Sequence, residues 1–139
     1  MKADVLQQIS TGNRRLRLHL LGVAGSGMSG LAGLLLQLGH DVSGSDRVSS
    51  DEIKRLQSLG LKFSSPHSAG AVAGCDGVIY SSAIKPGNVA YDAALSARIP
   101  LIRRAEALAA IVRRRDGVIV AGTHGKTTTS SLAAHVLRL

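Results

Sequence analysis

Short apolar runs alternate with stretches of helical periodicity along most of the chain. Continuous apolar runs between turn residues predict buried strands, and apolar positions three and four residues apart predict helices. The predicted strands cover residues 16–23, 41–46, 61–63, 77–80, 100–102 and 118–121. The predicted helices cover residues 28–38, 50–59, 89–97, 105–113 and 126–137, with one helical turn at 68–72. This order predicts an α/β fold: a Rossmann-like, doubly wound, mainly parallel sheet with flanking helices.

The same pattern divides the chain into three segments. Residues 1–13 are predicted to be a polar N-terminal lead-in. Residues 14–115 carry five of the predicted strands and are expected to form one Rossmann-like domain. Residues 116–139 hold only a strand, a glycine loop and a helix, which predicts the start of a second domain.

Composition excludes several classes of protein. An apolar share of 45% is enough for a packed core, which argues against a disordered chain. The single cysteine, Cys75, excludes a disulfide framework and is predicted to be a small inert thiol. The N-terminus lacks the apolar stretch of a signal peptide, and the longest apolar helix candidate is too short to span a bilayer. A cytoplasmic protein without membrane insertion is expected.

The basic balance of the chain allows more than one interpretation. There are 17 Lys and Arg against 9 Asp and Glu, a net charge of +8, with arginine clusters at 14–17, 103–104 and 113–115. Phe63, Tyr80 and Tyr91 are the only aromatic residues, so bases have little to stack on and nucleic acid is not an expected partner. The arginines are either solvated at the ends of elements or attract a smaller polyanion such as a nucleotide.

The first glycine-rich loop spans residues 22–30 and follows the first predicted strand. It resembles a dinucleotide-binding turn, with Ala24 at the second glycine position. Small residues there let backbone amides approach a diphosphate at the start of the next helix. Asp46 ends the second predicted strand, where a carboxylate can accept hydrogen bonds from ribose hydroxyls. Glycines that only permit close packing of helix and strand are the alternative.

The second glycine-rich loop spans residues 121–129. It lacks the first glycine of a full phosphate-loop signature, because Val120 stands there. Its ending still provides a compact cation, Lys126, and a hydroxyl, Thr127, that can bind Mg²⁺. The sequence therefore predicts an ATP site, with a plain strand–turn–helix as the alternative.

Five blocks of sequence occur in an order that resembles the opening of a Mur ligase. The resemblance covers about residues 16–139, and the ordered set is far more specific than any single block. The blocks are Leu18–Gly30, Gly39–Asp46, Tyr80–Ile84, Arg103–Glu106 and Gly122–Thr128.

This resemblance implies an ATP-dependent, amide-forming ligase of peptidoglycan precursor synthesis. In the family, ATP phosphorylates the lactyl carboxylate of UDP-N-acetylmuramate, and an amino acid's amine displaces phosphate from the acyl phosphate. The amino-acid sequence of residues 25–30 resembles that of the family members that add L-alanine. Since the family's N-terminal domain holds the UDP moiety, this chain is expected to bind the UDP sugar without catalysing ligation.

The resemblance also implies individual contacts. Lys126 would contact the ATP phosphates as the catalytic residue of this chain, the remaining catalytic groups being expected outside it, and Thr127 would bind Mg²⁺. The implied UDP-sugar contacts are Gly22, Ala24, Gly25, Ser26, Gly27, Met28, Ser29, Asp46, His67, Ser81, Ser82, Ile84 and Arg104. The implied ATP contacts are Gly122, Thr123, His124, Gly125, Lys126, Thr127 and Thr128. Ala24 departs from the family's usual glycine, and a solvated loop histidine is the alternative for His67.

Three other functions remain open at this point. A ligase that recycles a whole peptide onto the same UDP sugar shares the second loop. A nicotinamide dehydrogenase would use Gly22, Gly27 and Asp46 for NAD, although the second phosphate loop is then hard to explain. The third is a stand-alone nucleotide-binding or regulatory module without catalysis. His19 is expected to pack against the sheet, and no chemistry is assigned to His40.

Overall fold

The computed structural model describes residues 1–113 and 115–138; Arg114, from the third arginine cluster, and Leu139 lie outside them. One sheet of five strands forms the centre, in the order β3-β2-β1-β4-β5. All four strand pairs are parallel. The strands are β1 (Arg17–Leu21), β2 (Asp41–Ser45), β3 (Lys62–Ser64), β4 (Gly77–Tyr80) and β5 (Leu101–Arg103).

Six helices occur in the described residues, and all except the last pack on the two faces of this sheet. They are α1 (Lys2–Thr11), α2 (Ser26–Gln37), α3 (Asp51–Ser58), α4 (Val89–Ser96), α5 (Arg104–Val112) and α6 (Lys126–Leu137), with a 3₁₀ turn at Ala69–Val72. The larger apolar cluster joins α1, α2, α3 and α5 to one face of the sheet. The smaller cluster joins α4 and the 3₁₀ turn to the other face. The predicted doubly wound, Rossmann-like sheet is therefore confirmed for these five strands.

Local capping explains where two of these helices begin. The Ser50 hydroxyl accepts the Ile53 amide at 3.2 Å, which satisfies one of the free amides at the start of α3. The Asn88 side chain accepts the amides of Ala90 and Tyr91, at 3.0 and 3.2 Å, at the start of α4. In the described residues no helix is long and apolar enough to cross a membrane.

The strand order creates a crevice between β1 and β4. The chain leaves β1 towards α2 on one face and leaves β4 towards α4 on the opposite face. The two loops therefore separate at the carboxyl ends of these neighbouring strands. In doubly wound sheets this switch point is where ligands bind.

The N-terminal segment differs from the predicted polar lead-in. Residues 2–11 form α1, and its Val5 and Ile9 side chains are 6% and 0% exposed in the main core. These two apolar residues are four positions apart, which places them on one face of a helix. Gly12 ends the helix in the left-handed conformation with φ of 63°.

The strand predicted at 118–121 is wrong. Residues 116–121 have no regular structure, and the side chains of Val118 and Ile119 are 75% and 86% exposed. A β-strand needs a hydrogen-bonding neighbour, and none of the five described strands pairs with this segment. The following helix, α6, forms as predicted over Lys126–Leu137 and buries none of its residues.

Arg98 adopts an unfavourable backbone conformation where the chain leaves α4. Its φ is 57°, the left-handed region that favours glycine. The turn is held there because the Arg98 amide donates to Leu95 O at 3.1 Å and the Ile99 amide donates to Ala94 O at 2.9 Å. This is a helix end that glycine usually occupies.

We predict that Arg98→Gly raises the free energy of unfolding by about 1 kcal/mol, because glycine adopts this conformation without steric cost. Urea unfolding of both proteins measures the change. Arg98→Ala is the control, since it removes the long side chain but keeps the Cβ atom. An equal gain from alanine would show that the side chain, and not the backbone, is the cause.

Candidate functional site

Two adjoining cavities open at the carboxyl ends of the strands. The first, here the main cleft, has a volume of about 590 Å³, and the second, here the side pocket, has about 560 Å³. They share the segment Ile84–Pro86. Six of the predicted substrate contacts line the main cleft: Gly22, Gly25, Asp46, His67, Ser81 and Ile84. Two others, Ser82 and Arg104, line the side pocket.

The turn after β1 is possible only because two positions lack side chains. Gly22 has φ of +82°, and a Cβ atom there would lie 2.9 Å from Ser81 Oγ in the loop after β4. A Cβ atom on Gly44 of β2 would lie 2.8 Å from Val23. Both glycines therefore permit the close approach of this turn to the neighbouring strands.

The start of α2 lies at the edge of the main cleft, which Gly25 lines, and carries unpaired amides. Gly25 precedes the helix, and its carbonyl accepts the amides of Met28 and Ser29 at 3.0 and 2.8 Å. Ser26 and Gly27 are the first two helical residues, whose amides have no intrahelical acceptor. Together with the positive end of the helix dipole, these amides form an anion-binding position. The side chains of Met28 and Ser29 are buried and their amides already donate to the Gly25 carbonyl, so these two predicted contacts have no free amide to offer an anion.

Arg104, the first residue of α5, lies directly against this helix terminus. A Cβ atom on Gly27 would collide with the Arg104 guanidinium, so glycine is what allows the contact. A cation next to the positive end of a helix dipole is repelled unless an anion lies between them. The pair is therefore suited to a group with more than one negative charge, such as a diphosphate. Sequence reasoning missed two further cleft cations, Arg47 and Lys85.

Asp46 is held at the rim of the main cleft by backbone amides. Its Oδ2 accepts the Ala24 amide at 2.9 Å, and its Oδ1 accepts the Arg47 amide at 2.7 Å. The Ala24 amide, one of the predicted diphosphate contacts, is thus engaged by Asp46. Oδ1 also accepts the Val48 amide at 3.4 Å, so it is the second lone pair of Oδ2 that leaves the group able to accept a ribose hydroxyl.

A chain of side-chain hydrogen bonds runs behind the cleft, from the core to its rim. His19 Nδ1 lies 2.8 Å from Ser43 Oγ, and His19 Nε2 lies 3.0 Å from Ser45 Oγ. Ser45 Oγ lies 2.7 Å from His67 Nδ1. We call these four residues the histidine–serine relay. The sequence does contain a signal for this relay: Ser43 and Ser45 are two positions apart in β2, so they lie on one face of the strand, and His19 lies in β1. The relay could not be predicted, because the register of β1 against β2 was unknown.

Burial keeps the two histidines of the relay uncharged at neutral pH. Desolvation, assisted by the nearby His67, lowers the pKa of His19 to about 4. Burial also lowers the pKa of His67. The Arg47 guanidinium lowers this pKa further, whereas the Asp46 carboxylate acts in the opposite direction. His40 is separate from the relay: its Nδ1 accepts the Leu16 amide at 3.2 Å in the core.

The side pocket combines aromatic rings with cations. Tyr80 and Tyr91 pack edge to face, with 5.2 Å between ring centroids. Arg103 Nε donates to the Tyr80 hydroxyl at 3.4 Å, and this contact raises the pKa of the Arg103 guanidinium. The pocket therefore provides apolar and positively charged surface beside the anion-binding position.

The predicted ATP loop lies outside both cavities, in an exposed segment. Gly122 and Gly125 have φ of +149° and +77°, and Lys126 Nζ donates to the Gly122 carbonyl at 2.6 Å. These left-handed glycines, the free amides at the start of α6 and a folded-back lysine fit phosphate groups. For Mg²⁺, Thr127 offers one hydroxyl, and no group of three or more His, Cys, Asp or Glu that could hold a metal occurs in the described part of the chain.

We predict that the burial of His19 makes the protein less stable in mild acid. Unfolded histidine takes up a proton as the pH falls below about 6.5, whereas folded His19 stays neutral down to about pH 4. The unfolded state then binds more protons, so the free energy of unfolding falls as the pH is lowered, and the part due to His19 is about 2 kcal/mol between pH 7.5 and pH 5. Urea unfolding at about pH 7.5 and about pH 5 measures it. His19→Gln should lose less stability between the two pH values, and an equal loss in both proteins would contradict the prediction.

Known proteins are similar to this chain over the residues that form the sheet and its helices. The sequence model described as "Mur ligase family, catalytic domain" matches residues 17–116. A UDP-N-acetylmuramate--L-alanine ligase of Methylococcus capsulatus is 53% identical over 121 residues, which are 87% of this chain and 26% of that protein. A protein of the same name from Acidithiobacillus ferrooxidans is 50% identical over 121 residues, again 87% of this chain and 26% of that protein. The chain spans about a quarter of the length of these relatives.

Solved structures agree with these sequence relatives. The UDP-N-acetylmuramate-alanine ligase of Thermotoga maritima superposes with a TM-score of 0.83 and 32% identity, covering 89% of this chain and 29% of that one. The UDP-N-acetylmuramate:L-alanyl-gamma-D-glutamyl-meso-diaminopimelate ligase of Neisseria meningitides superposes with a TM-score of 0.84 and 29% identity. The match covers 90% of this chain and 40% of that one. Since the family model covers the whole sheet together with its anion-binding turn, this chain belongs to the Mur ligase family.

Proposed function

We propose that this chain binds UDP-N-acetylmuramate as the N-terminal part of an ATP-dependent ligase that joins L-alanine to that sugar in peptidoglycan precursor synthesis. Residues 14–115, with α1 packed on them, are the substrate-binding domain, and residues 116–139 are the start of the ATP-binding domain. The reaction then takes place in the cytoplasm, where ATP is available.

One observation carries the substrate proposal. The free amides at the start of α2 face the Arg104 guanidinium across Gly27, at the switch point of the sheet. A diphosphate bound beside both groups gains charge-assisted hydrogen bonds from the amides and from the guanidinium. Asp46 at the rim is then within reach of the ribose, because a ribose follows the diphosphate directly in a UDP sugar.

The side pocket supports the sugar end of the same ligand. Tyr80 and Tyr91 offer apolar faces for a hexose, and Arg103 and Arg104 offer positive charge for a carboxylate. Ser82 lines this pocket and Ser81 the main cleft, so the loop after β4 passes between the two.

The choice of L-alanine as the added group rests on the sequence relatives. Those with 50–53% identity carry the L-alanine ligase name. The peptide-adding ligase from Neisseria meningitides has an equally similar fold but 29% identity. Both named reactions start from the same UDP sugar, so the main cleft suits either.

ATP and Mg²⁺ would be held by the second loop. When bound, ATP supplies the phosphoryl group that activates the sugar's carboxylate for attack by an amine. Lys126 places its ammonium beside the Gly122 carbonyl, where it can neutralise phosphate charge, and Thr127 contributes a hydroxyl to the metal. Gly122, Thr123, His124, Gly125 and Thr128 complete the loop.

We predict that the chain binds UDP and UDP-N-acetylmuramate with micromolar dissociation constants, because the residues proposed to contact the diphosphate and the ribose lie together at the main cleft and at the start of α2. Isothermal titration calorimetry measures the affinity, and a coupled phosphate-release assay with ATP and L-alanine should show no ligation. A folded protein that binds neither ligand would overturn the proposal.

We predict that Arg104→Ala weakens UDP binding at least tenfold, the amount expected when one charge-assisted hydrogen bond is lost. Lys126→Ala is the matched control, because it removes a cation from the exposed second loop and should change UDP affinity less than twofold. The same titrations measure both. Equal losses in the two variants would indicate that net charge, and not the geometry at α2, determines binding.

A further inference from the structure

The histidine–serine relay offers a means of recognising the base of the ligand. Its members lie on β1, on β2 and in the loop after β3, and they join the interior of the sheet to the rim of the main cleft. His19 is 1% exposed and Ser45 is 0% exposed. Each buried donor must therefore find its acceptor within the relay.

The direction of the hydrogen bonds follows from the inner end. Ser43 Oγ is 3.4 Å from the Leu18 carbonyl, and a carbonyl can only accept, so the Ser43 hydroxyl donates to it. Ser43 Oγ then accepts from His19 Nδ1–H. A neutral imidazole has one donor and one acceptor, so His19 Nε2 accepts the Ser45 hydroxyl proton.

The same direction continues to the cleft. Because the Ser45 hydroxyl donates to His19, Ser45 Oγ can only accept from His67, and His67 carries its proton on Nδ1. Its Nε2 atom is then an acceptor. Three side-chain atoms of the described residues are buried without a partner, Gln8 Oε1, Thr11 Oγ1 and His40 Nε2. His67 Nε2 is not one of them, and His67 lines the main cleft beside Asp46.

We propose that the relay holds His67 as the Nδ1–H tautomer, so that its Nε2 accepts a hydrogen bond from the N3–H of a uracil base and disfavours cytosine. Uracil has a donor at N3, whereas cytosine has an acceptor there. His19, Ser43 and Ser45 are positioning residues, because they act on the ligand only through His67. This inference rests on the proposed binding of a uridine nucleotide in the main cleft.

Nitrogen NMR of the free protein tests the relay without any ligand. In ¹⁵N-histidine-labelled chain at about pH 8, the expected result is a protonated Nδ1 and an unprotonated Nε2 for His67. The His67→Gln spectrum assigns its signals. A His67 that carries its proton on Nε2 in the unaltered chain would overturn the proposal.

A substitution at the inner end separates the relay from direct contacts. Ser43→Ala removes the acceptor for His19 Nδ1–H, so the relay should reverse and His67 should become the Nε2–H tautomer. Ser58→Ala is the control, because among the described residues that hydroxyl bonds only to the Arg55 carbonyl of its own helix. An unchanged His67 tautomer in folded Ser43→Ala protein would also overturn the proposal.

Calorimetric titrations with UDP and CDP test base recognition. The unaltered chain should bind UDP about tenfold more tightly than CDP, the size expected for one hydrogen bond gained in place of one repulsive contact. Ser43→Ala should reduce this ratio to twofold or less, and Ser58→Ala should retain it. Equal affinity of the unaltered chain for both nucleotides would overturn the recognition of uracil. Failure to bind either nucleotide, with the Nδ1–H tautomer present, would instead count against the proposed function.

Discussion

The Ser45 carbonyl accepts two successive amides from the turn after β1, Gly22 at 2.9 Å and Val23 at 3.3 Å. These bonds extend the pairing of β1 and β2 by one step beyond the strands and hold the turn against the end of β2. Val23 then packs against Gly44, with no room for a side chain there. The direction of α2, and with it the place where an anion can bind, depends on this tether.

The charges around the cleft are arranged for an anionic ligand and not for the empty protein. The Arg104 guanidinium packs against Gly27 at the positive end of α2, and Arg47 and Lys85 add further positive charge to the cleft. Asp46 contributes the opposite charge at the rim, yet its oxygens already serve backbone amides. A diphosphate would therefore relieve repulsion as well as form hydrogen bonds.

Local patterns were sufficient for most of the fold, because the buried strands and the glycine-closed helices are coded by neighbouring residues. They failed where packing decides. The apolar positions of α1, Val5 and Ile9, are too few among polar residues to show a buried helix. The apolar run at 118–121 resembles a strand but has no partner to bond to. The loops that form the cleft could be predicted from the sequence. The relay could not, because it depends on the strand register that places His19 beside Ser43.

Ser45 has two separate functions in one residue. Its main-chain carbonyl holds the turn before α2, and its hydroxyl connects His19 to His67. Any amino acid provides the carbonyl, but only a small hydroxyl fits a position with no exposed surface. In the proposed site, a substitution of this one side chain would therefore alter the recognition of the base while the main-chain bonds to the turn before α2 remain, so the two specificities could evolve independently.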